Sequence, residues 1–576
     1  MIAKEKIENG SKVAVIGGGP AGSFSSIFLI DLAKRAGLDI DVDIFEPQDY
    51  MAPGPKGCNM CAGIISESLI QNLATEGINL PSTVVQRGID SYIIHTPDGD
   101  TSIRTAMDER RIATVYRGAG PKDIKESDWR SFDGHLLSLA IDRGASHKQE
   151  KVTGITRQNG KLEVYGKDDR SNDYDLAVIA GGLSPNNMKI IENLDLNYKP
   201  PKKTKSHIRE FYFGEDAVKK YLGSNIHVFL LNIPELEFAA LVPKGDYVTL
   251  CLIGVNIDND LVESLLSMPQ IKKCLPDDID ASGSCRCSPY IYLEAAAEPY
   301  GDQIVFVGDS STSRLFKDGI GAAYRTSKAA ATTAVLQGTS ARDFERHYFR
   351  ACQKMERDNR IGRFVFWMNG QIQRRSWALG GFRRMIDREQ LRRDKPQRMS
   401  GVTWDTFTGS APYTDIFKRS LHPFFISRFV SDIASEILGI KQKNNVKEEN
   451  VKTGTLGSVY QNGEIIISEG EAEDNMYVIQ QGQVEILKDG VKLSTLKEGE
   501  FFGEMALFEK ERRTATVRAL GDVRVLTIDK KTLLRRVQED PSLAFRIIEK
   551  LSGRVRELNS QVTELKSVGA DNYTDL

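Results

Sequence analysis

The stretch Gly17-Gly18-Gly19-Pro20-Ala21-Gly22 constrains this chain more than any other. It follows a short apolar run, Lys12 to Ile16, and precedes a helical pattern from Phe24 to Ala36. A backbone that leaves a buried strand, turns and starts a helix within six residues needs positions without a Cβ. Gly17 permits the tight turn, Gly19 lets the backbone approach a bound group, and Gly22 lets helix and strand pack closely. Pro20 and Ala21 suit the first helical turn. The next apolar run, Asp41 to Phe45, ends in Glu46. Strand, helix and strand form a βαβ unit with an expected right-handed crossover. The helix N-terminus offers free amides to a pyrophosphate, and a carboxylate at Glu46 can accept from ribose hydroxyls. The pattern therefore predicts a dinucleotide site.

Composition bounds the remainder. The 576 residues accommodate several domains, with 40% hydrophobic and 27% charged residues. That is ordinary for a globular protein. Lys and Arg number 77 against 79 Asp and Glu, a net charge of −2. No global basicity points to a nucleic-acid partner. The first eleven residues are polar, so no secretory apolar core is expected, and no run approaches the roughly 18 apolar residues of a spanning helix. Seven cysteines in a chain this long are not a disulfide framework. The expected location is the cytoplasm.

A polar stretch, residues 441–453, has almost no apolar anchor and is expected to be a linker. Four further spans are expected around it: an oxidoreductase domain over 1–340, a basic helical extension over 341–440, a second domain over 454–565 and a tail over 566–576. Strands are predicted at 175–179, 227–231, 247–253 and 303–307, and helices at 343–355 and 364–384. After the linker, short strands are predicted at 464–467, 475–480, 483–488, 492–496 and 514–519. Helices at 531–539 and 543–558 close the chain.

A second signature lies far from the first. Residues Gln303 to Val307 read as a strand ending in Gly308-Asp309, followed by Gly319-Ile320-Gly321 and an alanine-rich helix. Together with the glycine turn, this resembles the group of FAD enzymes that includes aromatic hydroxylases and geranylgeranyl reductases. The resemblance implies that Asp309 holds the ribityl chain and that the helix start at Gly319 and Gly321 sits against the flavin ring. Within that group the likeness is to geranylgeranyl reductases. Cys61-Ala62-Gly63-Ile64-Ile65-Ser66 is similar to their Cys-x-Gly-x-x-Ser segment. Phe132-Asp133 and Leu136 resemble their Phe-Asp-x-x-Leu helix, with Arg130 the candidate flavin contact. Phe238 to Gly245 sits where that family has an aromatic strand ending in Phe-Pro-Lys, but with smaller groups at two aromatic positions. The implied fold is α/β: a Rossmann-like FAD domain with an inserted antiparallel-sheet substrate domain and a helical extension.

A thiol near a flavin ring can donate a proton when its pKa is tuned, which makes Cys61 the catalytic candidate. Cys58 with Cys61, and Cys285 with Cys287, are close pairs that leave open a redox dithiol, a metal site or inert thiols. The seven histidines are scattered, and no metal site is expected.

The C-terminal part carries Phe501-Phe502-Gly503-Glu504-Met505-Ala506-Leu507, then Arg512-Arg513-Thr514. Gly503 permits a turn into a short helix with free amides, Arg513 can neutralise a phosphate, and Glu504 can accept from a ribose 2′-hydroxyl. The segment closely resembles the phosphate-binding cassette of cyclic nucleotide-binding domains. That likeness implies a small jelly-roll β-barrel with helices and binding of cAMP or cGMP through Phe502, Gly503, Glu504, Met505, Ala506, Arg513 and Thr514. The Thr514 hydroxyl suits cGMP without excluding cAMP.

Residues 341–400 hold 16 Lys and Arg against 7 Asp and Glu. With the aromatics Phe364, Phe366, Trp367 and Trp377, this region suits an interfacial helix at an anionic membrane, a helical cap or a dock for the barrel. The combined expectation is an FAD-dependent oxidoreductase acting on an apolar, isoprenoid-like substrate and regulated by a cyclic nucleotide. NAD(P)H or another carrier would be the electron donor, and a homodimer is left open. An FAD-dependent monooxygenase and a non-enzymatic flavin redox sensor are the alternatives.

Overall fold

Strands Ser11–Ile16 and Ile40–Phe45 pair in parallel, Val13 opposite Val42 and Val15 opposite Ile44. Helix Pro20–Arg35 makes the crossover, with Pro20 in its first turn. In this computed structural model the described residues are 6–58, 62–105, 109–121, 130–166, 171–277, 279, 285–440, 455–473, 475–508, 512–539 and 542–571. The expected linker, 441–453, lies outside them. The chain forms two units: Met1–Ile70 with Pro81–Leu456, and Gln71–Leu80 with Gly457–Leu576.

In the first unit, a six-stranded sheet runs in the order Tyr300–Gly301, Ile304–Phe306, Leu176–Ile179, Ser11–Ile16, Ile40–Phe45, Ser146–Lys148. All its pairs are parallel except the first. Its central strands, Ser11–Ile16, Leu176–Ile179 and Ile304–Phe306, are almost wholly buried, as a parallel sheet covered on both faces requires. Helix Gly319–Leu336 packs against Pro20–Arg35, where Tyr324 meets Phe24 and Phe28 edge to face.

A seven-stranded sheet follows the order Arg286–Cys287, His207–Tyr212, Tyr247–Gly254, Leu236–Lys244, Asn225–Phe229, Ser91–Thr96, Gly99–Arg104. It is antiparallel except where Asn225–Phe229 meets Ser91–Thr96. One face shares a core with Leu379, Phe382 and Met385 of helix Ser376–Gln390. The other shares one with Val262, Leu265 and Ile271.

The basic extension is helical, but its boundaries differ from the pattern. Phe349–Gln373 is one helix running through the expected gap between 355 and 364. Gly362, which lies in that gap, is buried where the Tyr413 ring sits; a Cβ there would lie 2.6 Å from the ring. The break falls at Arg374 and Arg375, before Ser376–Gln390. Helices Arg398–Thr408, Tyr413–Ser420 and Pro423–Ile437 complete the extension. Trp367, Phe424 and Val430 are exposed on it. No described helix is long and apolar enough to cross a membrane.

In the second unit, Asn475–Lys488 is a single strand where two short ones are predicted. Register shifts between Ile479 and Gln483, next to left-handed Gly482, carry it past the expected interruption. It pairs with Thr516–Asp529, Val491–Lys497 and Phe501–Phe502. Ile479, Val484, Phe502, Val517 and Val525 form the core. Helices Lys530–Glu539 and Ser542–Asp571 follow, the second longer than its sequence pattern suggests.

Candidate functional sites

Every element of the first signature sits at the carboxyl ends of the parallel strands, where open α/β sheets bind ligands. Gly17 has φ +108°, and its amide donates to the Phe45 carbonyl at 2.9 Å. A Cβ on Gly17 would lie 2.7 Å from the Ala180 carbonyl oxygen, one on Gly18 2.7 Å from Glu46 Cβ, and one on Gly22 1.8 Å from the Gly17 oxygen. Gly17 and Gly22 are therefore required by close approach of backbone to backbone, and Gly18 by the Glu46 side chain. Gly19 caps the helix without any side chain engaging its amides, so Pro20 and Ala21 open a terminus free to face an anion. Buried Glu46 accepts from the Gly18 amide (2.8 Å), the Tyr50 hydroxyl (2.7 Å) and the Gln48 amide (2.8 Å). A carboxylate has about four acceptor positions, so one remains for a ribose hydroxyl.

The second signature packs directly onto the first. Gly308 has φ +63°, and a Cβ there would lie 2.8 Å from Ala21 Cβ. Its amide donates to Thr326 Oγ1 at 2.8 Å, and Ser327 Oγ donates to the Ala21 carbonyl at 2.7 Å. Burial raises the Asp309 carboxyl above its ordinary range, a shift opposed by Ser313 and by the Arg117 charge. The Asp309 carboxylate lies 3.8 Å from the Cβ position of Gly319. Helix Gly319–Leu336 begins there, again without a side-chain cap, after Asp318 in a left-handed turn. A Cβ on Gly321 would lie 2.2 Å from Asp318 Oδ1. Asp318 also accepts from Ser66 Oγ at 2.7 Å and pairs with Arg325.

The helical extension holds the loop between Asp309 and Gly319. Asn359 donates to the Ser313 carbonyl (2.8 Å) and accepts from the Leu315 amide (3.1 Å). Arg314 donates to the carbonyls of Gly409 (2.8 Å) and Ala411 (2.7 Å), and Lys317 to those of Asp405 (2.8 Å) and Thr406 (3.0 Å). Burial, with Arg314 nearby, pushes the Lys317 pKa well below its usual value.

The segments resembling geranylgeranyl reductases also meet. Gly63 has φ +69°, and a Cβ there would lie 3.0 Å from Lys244 Nζ. Buried Lys244 pairs with Glu210 at 3.3 Å and lies over the Tyr116 ring. Asp133 is ion-paired with Arg117 at 2.8 Å. Arg117, which sequence reasoning missed, is thus the arginine acting on both Asp133 and Asp309. The Arg130 side chain is exposed, and its backbone amide donates to the Thr83 carbonyl at 2.8 Å. Cys61 lies outside the described residues. Cys58, Cys285 and Cys287 are partly buried, and Cys287 stands opposite Ile208 at the sheet edge.

A cleft of about 360 Å³ opens beside Leu315 and Phe316 of the same loop. Ile233, Leu236, Phe366 and Trp367 give it an apolar lining, while Glu237, Arg363 and Arg374 supply charge. Burial raises the Glu237 carboxyl above its ordinary range.

The C-terminal cassette is equally well formed. Phe502 is buried in the strand paired with Tyr477, and Gly503 has φ +77°. Ala506 is partly buried in the short helix Met505–Phe508, while Met505 and Thr514 are exposed. Buried Arg513 donates to the carbonyls of Gly503 (2.9 Å) and Asn475 (2.7 Å), and its Nε has no partner among the described residues. Glu504 is buried and accepts from Arg554 Nη1 at 3.2 Å; Arg554 also donates to the Phe501 carbonyl. The closing helix Ser542–Asp571 thus lays an arginine on the carboxylate that resemblance assigns to the ribose. No sequence motif marks Arg554.

Residues 458–540 match the family model described as a cyclic nucleotide-binding domain, and the second unit therefore carries such a domain. A putative potassium channel protein of Rhodopseudomonas palustris is 35% identical over 108 residues, 18% of this chain and 26% of that protein. The type II regulatory subunit of cAMP-dependent protein kinase from Drosophila melanogaster is 32% identical over 130 residues, 22% of this chain and 33% of that protein. The chain thus spans about a quarter to a third of the length of these relatives. A geranylgeranyl bacteriochlorophyll reductase-like protein of Thermoplasma acidophilum aligns at TM-score 0.43 and 15% identity over 75% of this chain and 99% of its own. Klebsiella pneumoniae HpxO, complexed with FAD and uric acid, aligns at TM-score 0.45 and 15% identity over 70% and 97%.

Proposed function

We propose that this chain is an FAD-dependent oxidoreductase whose turnover is set by a cyclic nucleotide held in its C-terminal domain. One observation carries the flavin reading: Glu46, the uncapped helix start at Pro20, Asp309 and the uncapped helix start at Gly319 lie along one sheet end. The fit extends to shape, since side chains at Gly17, Gly18, Gly22 and Gly308 would collide with backbone or neighbouring side chains. Glu46 would hold the adenosine ribose, the free backbone amides of the helix start from Ala21 onward the pyrophosphate, and Asp309 the ribityl chain. The start of helix Gly319–Leu336 would face the ring. When bound, FAD supplies hydride transfer; the protein supplies orientation and protons.

The cleft beside Phe316 suits an elongated apolar substrate with a polar end near Arg363 and Arg374. Reducing an apolar double bond adds a hydride to one carbon and a proton to the other. Glu237 lines the cleft and keeps its proton more readily than an exposed carboxyl, so it is the proton donor in this reading.

In the second unit, Arg513 would meet the cyclic phosphate and Glu504 the 2′-hydroxyl. Regulation requires the nucleotide to bind one state of the protein better than another. Release of Glu504 by Arg554 supplies such a difference, because the two arrangements leave the closing helix differently anchored.

The test uses the purified full chain under anaerobic conditions. The reading expects one FAD per chain, reduction by NAD(P)H or another carrier, reoxidation by an isoprenoid-type alkene, and a rate that changes with cAMP or cGMP. NADPH oxidation that consumes oxygen and leaves the alkene intact would contradict the reductase reading.

A further inference from the structure

Histidines that are scattered in sequence come together with a cysteine inside the seven-stranded sheet. His95 lies on strand Ser91–Thr96 and His227 on Asn225–Phe229; these strands are parallel neighbours, with Phe229 opposite His95. Cys274 follows helix Pro269–Lys272 and belongs to the core beneath that sheet. All three side chains are buried. His95 Nε2 and His227 Nδ1 are 2.9 Å apart, Cys274 Sγ is 3.4 Å from His227 Nδ1, and it is 3.8 Å from His95 Nε2. The triangle defined by those separations has its centre about 2.0 Å from each atom. Metal–ligand bonds of about 2.0–2.1 Å to nitrogen and 2.3 Å to sulfur need little more than a shift of a few tenths of an ångström.

With both rings neutral, hydrogen bonding does not satisfy this cluster. Asp100 accepts from His95 Nδ1 at 2.9 Å, which places a lone pair on His95 Nε2 when the ring is neutral. His227 Nδ1 must then donate to it, and a lone pair is left on His227 Nε2. That atom is buried, and the backbone group beside it is the Leu222 carbonyl, which can only accept. A cation between the rings, a proton or a metal ion, resolves the conflict, and the Cys274 sulfur facing both nitrogens favours the metal ion. Both facing nitrogens then offer lone pairs to the ion, and His227 Nε2 carries hydrogen toward the Leu222 carbonyl, the backbone acceptor on that side.

We propose that His95, His227 and Cys274 form a binding site for a borderline-soft transition-metal ion, zinc first among them, with a fourth position open to water. Two imidazoles and a thiolate are the donor set such ions prefer. Asp100 on His95 is the carboxylate–histidine–metal support that orients a ligand ring. Binding takes the sulfur as thiolate and releases its proton to solvent. The ion would tie the segment after Pro269–Lys272 to the two strands.

The test is metal analysis of the purified full chain after reconstitution with zinc and removal of excess. One zinc per chain is expected, with X-ray absorption showing two nitrogens, one sulfur and one light atom. Cys274→Ser and His227→Gln should abolish stoichiometric zinc while FAD content and circular dichroism persist. Asp100→Asn, at a partly exposed position, keeps the test decisive if those variants fail to fold; it should weaken zinc roughly 10–100-fold. Copper held by the same three residues equally supports the site. A wild type that retains no metal after reconstitution, zinc affinity unchanged in Asp100→Asn, or zinc retained in Cys274→Ser would overturn it.

Discussion

Replacing Arg554 with alanine perturbs the cyclic nucleotide domain at a contact that, in the proposed reading, the nucleotide would displace. Arg554 donates to Glu504 Oε1 at 3.2 Å and to the Phe501 carbonyl, and it stacks over the Phe501 ring. The Glu504 side chain is 9% exposed and that of Arg554 21%, so the pair is only weakly screened. A hydrogen bond between charged groups contributes about 1.5–3 kcal/mol, and losing one partner strands the other. In the free protein, Arg554→Ala leaves a nearly buried carboxylate without its cation. In the complex, the ribose hydroxyl supplies a donor to that carboxylate. The free state is therefore destabilised relative to the bound state by about 1.5–3 kcal/mol, which corresponds to roughly 10–100-fold tighter binding. Calorimetric titration of the wild type and Arg554→Ala with cAMP and with cGMP reads this directly. Unchanged or weaker binding in the variant would refute the idea that the closing helix masks Glu504.

Other outcomes follow from the same contacts. Gly22→Ala forces a Cβ to within 1.8 Å of the Gly17 oxygen, so it should cost about 1–3 kcal/mol of stability and most of the bound FAD, read as flavin absorbance per chain. Arg513→Ala removes the phosphate's cation and two bonds to backbone carbonyls; nucleotide affinity should fall by about 2 kcal/mol, roughly 30-fold, in the same titration. Burial, with Arg209 and Arg286 nearby, lowers the His207 pKa from 6.5, so the folded state keeps this ring neutral where the unfolded state protonates it. Its stabilisation is present above pH 6.5 and is lost as pH falls below that, with a slope of at most about 1.4 kcal/mol per pH unit; denaturant midpoints should show this slope, flattened in His207→Gln.

Both signatures of the crevice are legible in the sequence because they are local: glycines at fixed offsets, a carboxylate at a strand end, and Gly-Asp after a buried run. The same holds for the cassette, where Gly503, Glu504 and Arg513 lie within a short segment. What sequence spacing hides is what tertiary packing supplies. Arg117 reaches Asp133 and the field of Asp309 because two distant segments fold together, whereas Arg130, nearer in sequence to the helix Phe132–Asp142, points to solvent. Helix Phe349–Gln373 bridges a gap left between two predicted helices, and Gly362 within that gap is where the Tyr413 ring packs. Strand Asn475–Lys488 reads as two strands because a bulge at Gly482 resembles a turn in sequence. His95, His227 and Cys274 share no motif; only the pairing of two strands and the return of a helix bring them together.

The most direct measurement is anaerobic stopped-flow reduction of the flavin in the full chain, with and without saturating cyclic nucleotide. An intact yellow protein whose reduction rate changes severalfold with cAMP or cGMP, and in which Arg513→Ala removes that response, is the predicted result. A colourless protein after reconstitution with FAD, or a rate indifferent to both nucleotides at saturation, would contradict the account.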